Sequence, residues 1–263
     1  MIRALFSAAS GMNAQQTNVE NIANNIANAN TAGFKARRAQ FQDLLYQNLI
    51  QPGAAASQQT IVPTGLQLGL GTRAVSNEII FTQGDFTETD NPLDLTIQGN
   101  GFFQLQQLSG QLAYTRAGTF HLNNTGQIVD PNGNLLDPPI TIPQNALTIT
   151  VGGDGTVSYT LPGQTTAQQA GQIQVANFAN PSGLNSIGNS LLQQTEASGA
   201  PVIGPPGGQD GQGTLLQGYI EQSNVSIVQE FVNLIVSQRA YEANSKVVKA
   251  ADDMYQQANN LKQ

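Results

Sequence analysis

Residues Leu5–Ala29, LFSAASGMNAQQTNVENIANNIANA, decide the fold of this chain. Leu5, Met12, Val19 and Ile26 stand seven apart, and Ala8, Gln15, Ile22 and Ala29 follow each by three. That spacing is the a/d seam of a heptad helix. The seam is thin, because Ala and Gln occupy d and amides flank it. Such a helix is marginal alone and needs a partner. The partner lies at the other end of the chain. Ile227, Leu234, Tyr241, Val248 and Tyr255 are also seven apart, with Phe231, Ala251 and Ala258 widening the stripe. Glu221–Leu261 contains no helix breaker, so a helix of about 60 Å is expected there.

Between these ends the chain changes character. All 12 prolines lie between Pro52 and Pro206, residues 1–51 contain only Gly11 and Gly33, and no glycine follows Gly218. The centre reads as short strands. Leu93, Leu95 and Ile97 alternate, as do Leu147, Ile149 and Val151, and Val157, Tyr159 and Leu161. Thr125-Gly126, Asn132-Gly133 and Asp154-Gly155 mark hairpin turns. The expected class is α+β: long terminal helices pairing as a coiled-coil-like domain, and a central antiparallel all-β domain. The boundaries fall at 1–36 and 219–263 for the helices, 37–78 and 203–218 for linking stretches, and 79–202 for the β-domain. Gln51–Gly71 and Gly199–Gly213 read as loops. The alternative for the helices is an ordinary bundle, disfavoured by the non-helical residues between them.

Composition narrows the chemistry. Of 263 residues, 25 are Asn and 33 are Gln, whereas only 10% are charged. There is no cysteine and one histidine, His121. Disulfides, thiolate or paired-His metal sites and a Cys nucleophile are excluded. No Gly-x-Ser-x-Gly elbow accompanies His121. Asp85, Glu88, Asp90 and Asp94 lack Ca²⁺-loop spacing and read as a solvated loop. Gly69-Leu70-Gly71 and Gly99-Asn100-Gly101 read as turns. Catalytic residues, cofactor and metal are therefore expected to be none. The net charge of −7 argues against nucleic acid. No apolar run suits membrane insertion, and the N-terminus lacks the apolar core of a secretory signal. Residues 51–216 carry ten acids against Arg73 and Arg116, net −8, whereas both ends are near neutral. Asp130, Asp137, Asp154 and Asp210 are expected on an outer, solvated face.

Two further stretches stand out. Asn18, Asn21, Asn25 and Asn28 share a helix face with Asn24 beside it, which suits an intersubunit or water-lined surface better than a core. From Gln47 to Gly71 no residue is charged, yet Leu44, Leu45, Tyr46, Leu49, Ile50, Ile61, Val62, Leu66, Leu68 and Leu70 are apolar. Thr31-Ala32-Gly33-Phe34 reads as a helix stop with Gly33 at positive φ; a glycine needed for close packing is the alternative.

The run NIANNIANANTAGFK, Asn21–Lys35, resembles the N-terminal signature of the bacterial flagellar rod and hook axial proteins. The matching motif residues are Asn21, Asn25, Asn28, Thr31, Gly33, Phe34 and Lys35. QGYIEQSNVSIVQEFVNLIVSQRAYEANSKVV, from Gln217, is similar to that family's C-terminal motif. QGDFTETDNPLDLTIQGNGFFQL and YTRAGTFHLNNTGQIV resemble its β-domain. Leu44, Leu45, Tyr46, Leu49, Ile50, Pro52 and Leu66 lie in a stretch similar to the one that marks the distal rod. The other long rod protein and the hook type are the within-family alternatives.

The resemblance implies a non-enzymatic subunit of a helical homopolymer in the periplasm-spanning basal-body rod, exported through the flagellar apparatus without a cleaved signal. It implies contacts with proximal rod proteins, hook protein, and P-ring and L-ring proteins. The seam residues Leu5, Met12, Val19, Ile22, Ile26, Ile227, Phe231, Leu234, Tyr241, Val248 and Tyr255 would form the assembly interface. From a different class, an acidic, amide-rich β centre also fits a carbohydrate-binding or adhesive module. That reading requires exposed aromatic platforms, and the centre has no Trp.

Overall fold

The computed structural model describes residues 2–51, 55–57, 60–61, 64–164, 166–208 and 211–260. Pro52, Val62, Asp210 and Leu261, and the side chains of Ile61 and Ala258, lie outside the described residues. An N-terminal helix, a C-terminal helix and a β-rich centre make the chain α+β. It divides into two units. One holds residues 1–27, 37–78 and 226–263, and the other 28–36 and 79–225.

In the helical unit, α1 (Ile2–Ala27) and α2 (Ile227–Asn260) lie against each other. Their register is antiparallel, with Asn25 bonded to Glu230 and Asn18 to Ser237. Helix α2 begins six residues later than the absence of breakers suggests. Tyr219–Glu221 is instead a strand paired with Phe86–Glu88, and Asn224 spends its amide on the carbonyls of Ile80 and Thr82. Tertiary pairing here outweighs a weak helical propensity.

The stretch expected as linker and loop also carries strands. Arg37–Asp43 pairs with Thr72–Ile79, and Tyr46–Ile50 with Leu66–Gly69. Ala55–Ser57 pairs with Thr60–Ile61. The low charge that reads as loop reflects amide and apolar side chains on exposed strands. Residues 202–204, expected in the Pro/Gly loop, likewise form a strand against Val175–Asn177.

The β-rich unit is built on a nine-stranded sheet among the described residues. Its centre is Phe102–Gln106, flanked by Leu112–Thr115 on one side and by Leu135–Leu136 and Val175–Asn177 on the other. All its pairings are antiparallel. Alternation places Leu95, Ile97, Phe103, Leu105, Phe120, Ile128, Leu136, Ile142, Val157 and Ile173 in one core. Each such side chain contributes about 1.5–3 kcal/mol on burial. Phe103 and Phe120 meet edge to face at 5.1 Å. The strands Thr148–Val151, Thr156–Thr160 and Gln168–Gln172 form a separate three-stranded sheet.

The expected hairpin turns form at all three places, each with its glycine at positive φ. The first two are one device used twice. Asn123 Oδ1 accepts from the N–H groups of Thr125 and Gln127, and Asp130 Oδ1 accepts from those of Asn132 and Asn134. Seven residues separate the two turns, so the run Asn123–Leu136 winds a repeated turn-and-strand unit. This corrects the outer-face expectation for Asp130, which is buried because a turn backbone satisfies its carboxylate. Asp137 is half-buried against Gln104, and Asp154 is exposed.

Candidate functional site

Two places gather the residues singled out by the sequence: the face between the helices, and a buried charge cluster around the Thr31–Lys35 motif.

The helices meet along a row one residue upstream of the expected a positions. Gly11, Asn18 and Asn25, seven apart on α1, face Asn244, Ser237 and Glu230, seven apart on α2. A Cβ on Gly11 would come 2.8 Å from Asn244 Nδ2, so glycine leaves room for that side-chain amide. Asn18 Nδ2 donates to Ser237 Oγ at 2.8 Å. Glu230, in the first turn of α2, favours the positive end of the helix dipole and accepts from Asn25. This row of the contact is therefore made of small and polar side chains.

The Asn face is used within the chain, which corrects its reading as an intersubunit or lumen surface for Asn21 and Asn25. Asn25, 2% exposed, accepts from the Arg37 N–H and donates to the Arg37 carbonyl, both at 2.9 Å. Asn21 accepts from Asn77 at 2.6 Å. An amide matches a strand's donor and acceptor spacing, as a hydrocarbon cannot.

The apolar stripe residues divide by exposure. Ile22 is buried, and Leu5, Met12, Val19, Ile26, Leu234, Val248 and Tyr255 are half-buried. Ile227, Phe231 and Tyr241 are exposed. With them are Val228, at 76%, and Val232, Ile235 and Val236. Solvent is a poor environment for such a band on one helix. The uncharged hairpin is similar: Leu45 is 85% exposed, and Tyr46, Leu49, Ile50 and Leu66 are also exposed, while Leu44 is half-buried. The sequence marked these residues as apolar; their exposure could not be read from it.

The second place lies wholly inside the β-rich unit. Helix α1 ends at Ala27, and residues 28–33 turn. Thr31 Oγ1 donates to Asn28 Oδ1, and the Phe34 N–H bonds back to the Thr31 carbonyl. Gly33 has the expected positive φ, +68, but it stands six residues past the end of α1 and does not cap it, which corrects the helix-stop reading. Its N–H donates to the Glu221 carbonyl at 2.8 Å, and a Cβ would come 2.5 Å from Ala117 N. The close-packing alternative therefore holds.

Beside it, Lys35 Nζ donates to Glu221 Oε1 at 2.6 Å and to the Thr82 carbonyl at 2.7 Å. Arg116 Nε lies 3.2 Å from Glu221 Oε2, and its guanidinium donates to the Gly99 and Gly101 carbonyls. All three side chains are buried. The turns Gly99 and Gly101 thus serve as acceptors for a cation. Burial lowers the Lys35 pKa, opposed by Glu221 and reinforced by Arg116; burial likewise lowers that of Arg116. The sequence pointed to Lys35 through the motif. Nothing marked Glu221 or Arg116 as its partners, because 186 residues separate Lys35 from Glu221.

Two terminal helices with an uncovered apolar band on α2, and a β-rich unit built from the centre of the chain, fit the class of axial structural proteins. Known proteins agree. Residues 5–35 match the family described as flagella basal body rod protein, 96–159 the flagellar hook protein FlgE/F/G D1 domain, and 216–261 the flagellar basal body rod FlgEFG protein C-terminal region. The flagellar basal-body rod protein FlgG of Caulobacter vibrioides is 53% identical over 99% of this chain and 100% of its own. Those of Buchnera aphidicola from Baizongia pistaciae and of Bacillus subtilis are 48% and 39% identical, over 99% and 100% of this chain and the whole of each relative. The chain belongs to the family of flagellar basal-body rod proteins, which are structural subunits and not enzymes. Its end-to-end similarity is to the members called FlgG, and its function is that of a distal-rod structural subunit. No helix among the described residues is long and apolar enough to cross a membrane.

Proposed function

We propose that this chain polymerises into a rigid hollow shaft, with the terminal helices supplying the subunit contacts and lining the inner wall. The observation that carries this reading is the exposed apolar band on α2: Val228, Phe231, Val232, Ile235 and Val236. A helix keeps such a band when copies of the chain cover it. The seven-residue spacing on both helices supports coiled-coil-like pairing. The uncharged hairpin from Tyr46 to Gly69 wedges between neighbouring subunits and keeps the shaft straight. The β-rich unit, which holds most of the negative charge, faces outward.

In this reading the shaft carries torque from proximal rod proteins to the hook protein. It turns inside the P-ring and L-ring proteins and is delivered by the flagellar export apparatus. An acidic surface with few cations suits a shaft that must slide rather than bind. Electron microscopy of the purified chain tests the assembly. Straight helical tubes are expected; soluble monomers under all assembly conditions would remove this reading.

A further inference from the structure

We propose that the buried Lys35–Glu221–Arg116 cluster is a mechanical joint, at which force carried along the helix-bearing segments enters the β-rich unit. The proposal rests on the torque-carrying role above. The chain passes between its two units at four places: 27/28, 36/37, 78/79 and 225/226. On the β-rich side these crossings belong to three segments, 28–36, 79 onward and the residues before 226. The cluster is where those segments are fastened to one another.

The fastening is dense and directional. Gly33 N–H donates to the Glu221 carbonyl, and Ile80 N–H to the Ala36 carbonyl at 2.9 Å. Ala36 N–H donates to Asn224 Oδ1 at 2.7 Å, and Asn224 Nδ2 donates to the Ile80 carbonyl at 2.9 Å. Glu221 Oε1 accepts from Lys35 and from the Gly84 N–H, at 2.6 and 2.9 Å. Segments 28–36 and 79 onward therefore both bond to Glu221, which itself belongs to the third. Arg116 then ties that carboxylate to the sheet through Gly99 and Gly101, with its guanidinium 5.9 Å from the centre of the Phe102 ring. A Cβ at Gly33 or Gly84 would meet main chain at 2.5 or 2.1 Å, so the segments are already at closest backbone approach.

The chemistry is not the one that stability alone would favour. Two cations share one carboxylate, and apolar side chains of similar volume are often at least as stabilising as a buried ion network. Apolar contacts, however, tolerate sliding. Charge-assisted hydrogen bonds hold one register and weaken steeply on displacement. A joint under torque needs the second property. Glu221 is thus a positioning residue for force transfer, with Lys35 and Arg116 as its anchors.

Lys35→Met is the discriminating variant, because it leaves a charge-balanced Glu221–Arg116 pair. The variant and the unaltered chain are each expressed in cells lacking their own copy of this subunit. Rods and attached filaments are counted by electron microscopy, and swimming speed is measured as medium viscosity rises. Restoration of motility by the unaltered chain tests the rod-subunit reading separately; its failure would overturn that reading, and the joint with it. The expected result is that Lys35→Met cells build flagella, match wild-type speed in dilute medium and lose speed under viscous load. Equal speed at every viscosity would overturn the joint. Should Lys35→Met yield no flagella, the same load curve is read on Lys35→Arg, which keeps the charge but replaces the compact ammonium. Loss of speed under load then supports the joint, and wild-type speed overturns it.

Discussion

Asn25 holds the main chain of Arg37 from both sides, accepting from its N–H and donating to its carbonyl at 2.9 Å each. Helix α1 is thereby fixed to the first strand that follows it. Asn25→Ala removes this donor and acceptor from a buried place. The expected cost is about 1–3 kcal/mol. A lowered urea midpoint with unchanged slope would show it, and an unchanged midpoint would mean that solvent replaces the amide freely.

Phe231 tests the outer band rather than the fold. It is half-exposed on α2 in the isolated chain. Phe231→Glu should leave the monomer within about 0.5 kcal/mol of wild type, as surface substitutions do. Filament formation should be abolished, because the charge would be buried between copies. Light scattering under assembly conditions reads this directly. Ile26→Asp, at a half-buried place, should instead weaken both the chain and its assembly.

Gly33 and Gly110 separate two costs of losing a glycine. Both have positive φ, but a Cβ at Gly110 meets nothing within 4 Å, whereas one at Gly33 strikes Ala117 and Arg116 main chain. Gly110→Ala should cost only the left-handed backbone term, about 1–2 kcal/mol. Gly33→Ala should cost more, since main chain cannot move aside. Equal midpoints for the two variants would refute the close-packing account.

Stability near the Lys35 cluster should depend on pH with a definite sign. The folded pKa of Lys35 lies below its ordinary 10.5, chiefly through burial. As pH rises through that lowered value, the folded state sheds its proton first. The unfolded chain then binds more protons, and stability rises with pH. Urea midpoints of wild type minus Lys35→Met should therefore increase towards about pH 10. Tyr114, whose pKa is raised by burial, acts oppositely above its ordinary value but is common to both proteins. Glu221→Gln should be the severest change in the cluster, about 3–5 kcal/mol, because two buried cations lose their carboxylate.

The hairpin from Tyr46 to Gly69 should govern rod straightness. Deleting Gln47–Gly65 removes the exposed Leu49 and Ile50 and most of the uncharged run. Filaments should still form, because α1 and α2 are intact, but they should curve like a hook. Straight rods from the deleted chain would assign the segment another role.

The class of elements was legible in the sequence because it depends on local period and on where breakers stand. Seven-residue spacing and the confinement of proline to 52–206 gave two terminal helices and a β centre. Turn pairs located Gly126, Gly133 and Gly155, since their left-handed backbone is a local requirement. The motif Thr31–Lys35 was visible as a pattern. What it touches was not. Glu221 and Arg116 reach Lys35 only through strand pairing over long separations, and no local period encodes which carboxylate a buried ammonium will find. The same limit applies to the helix seam. Spacing selected Val19 and Ile26, but the polar row that meets the opposing helix is Gly11, Asn18 and Asn25, because side-chain room and amide pairing depend on what that helix presents. Sequence settled which residues are apolar; tertiary structure alone decided which of them the chain keeps for itself and which, like Phe231 and Leu45, it leaves uncovered.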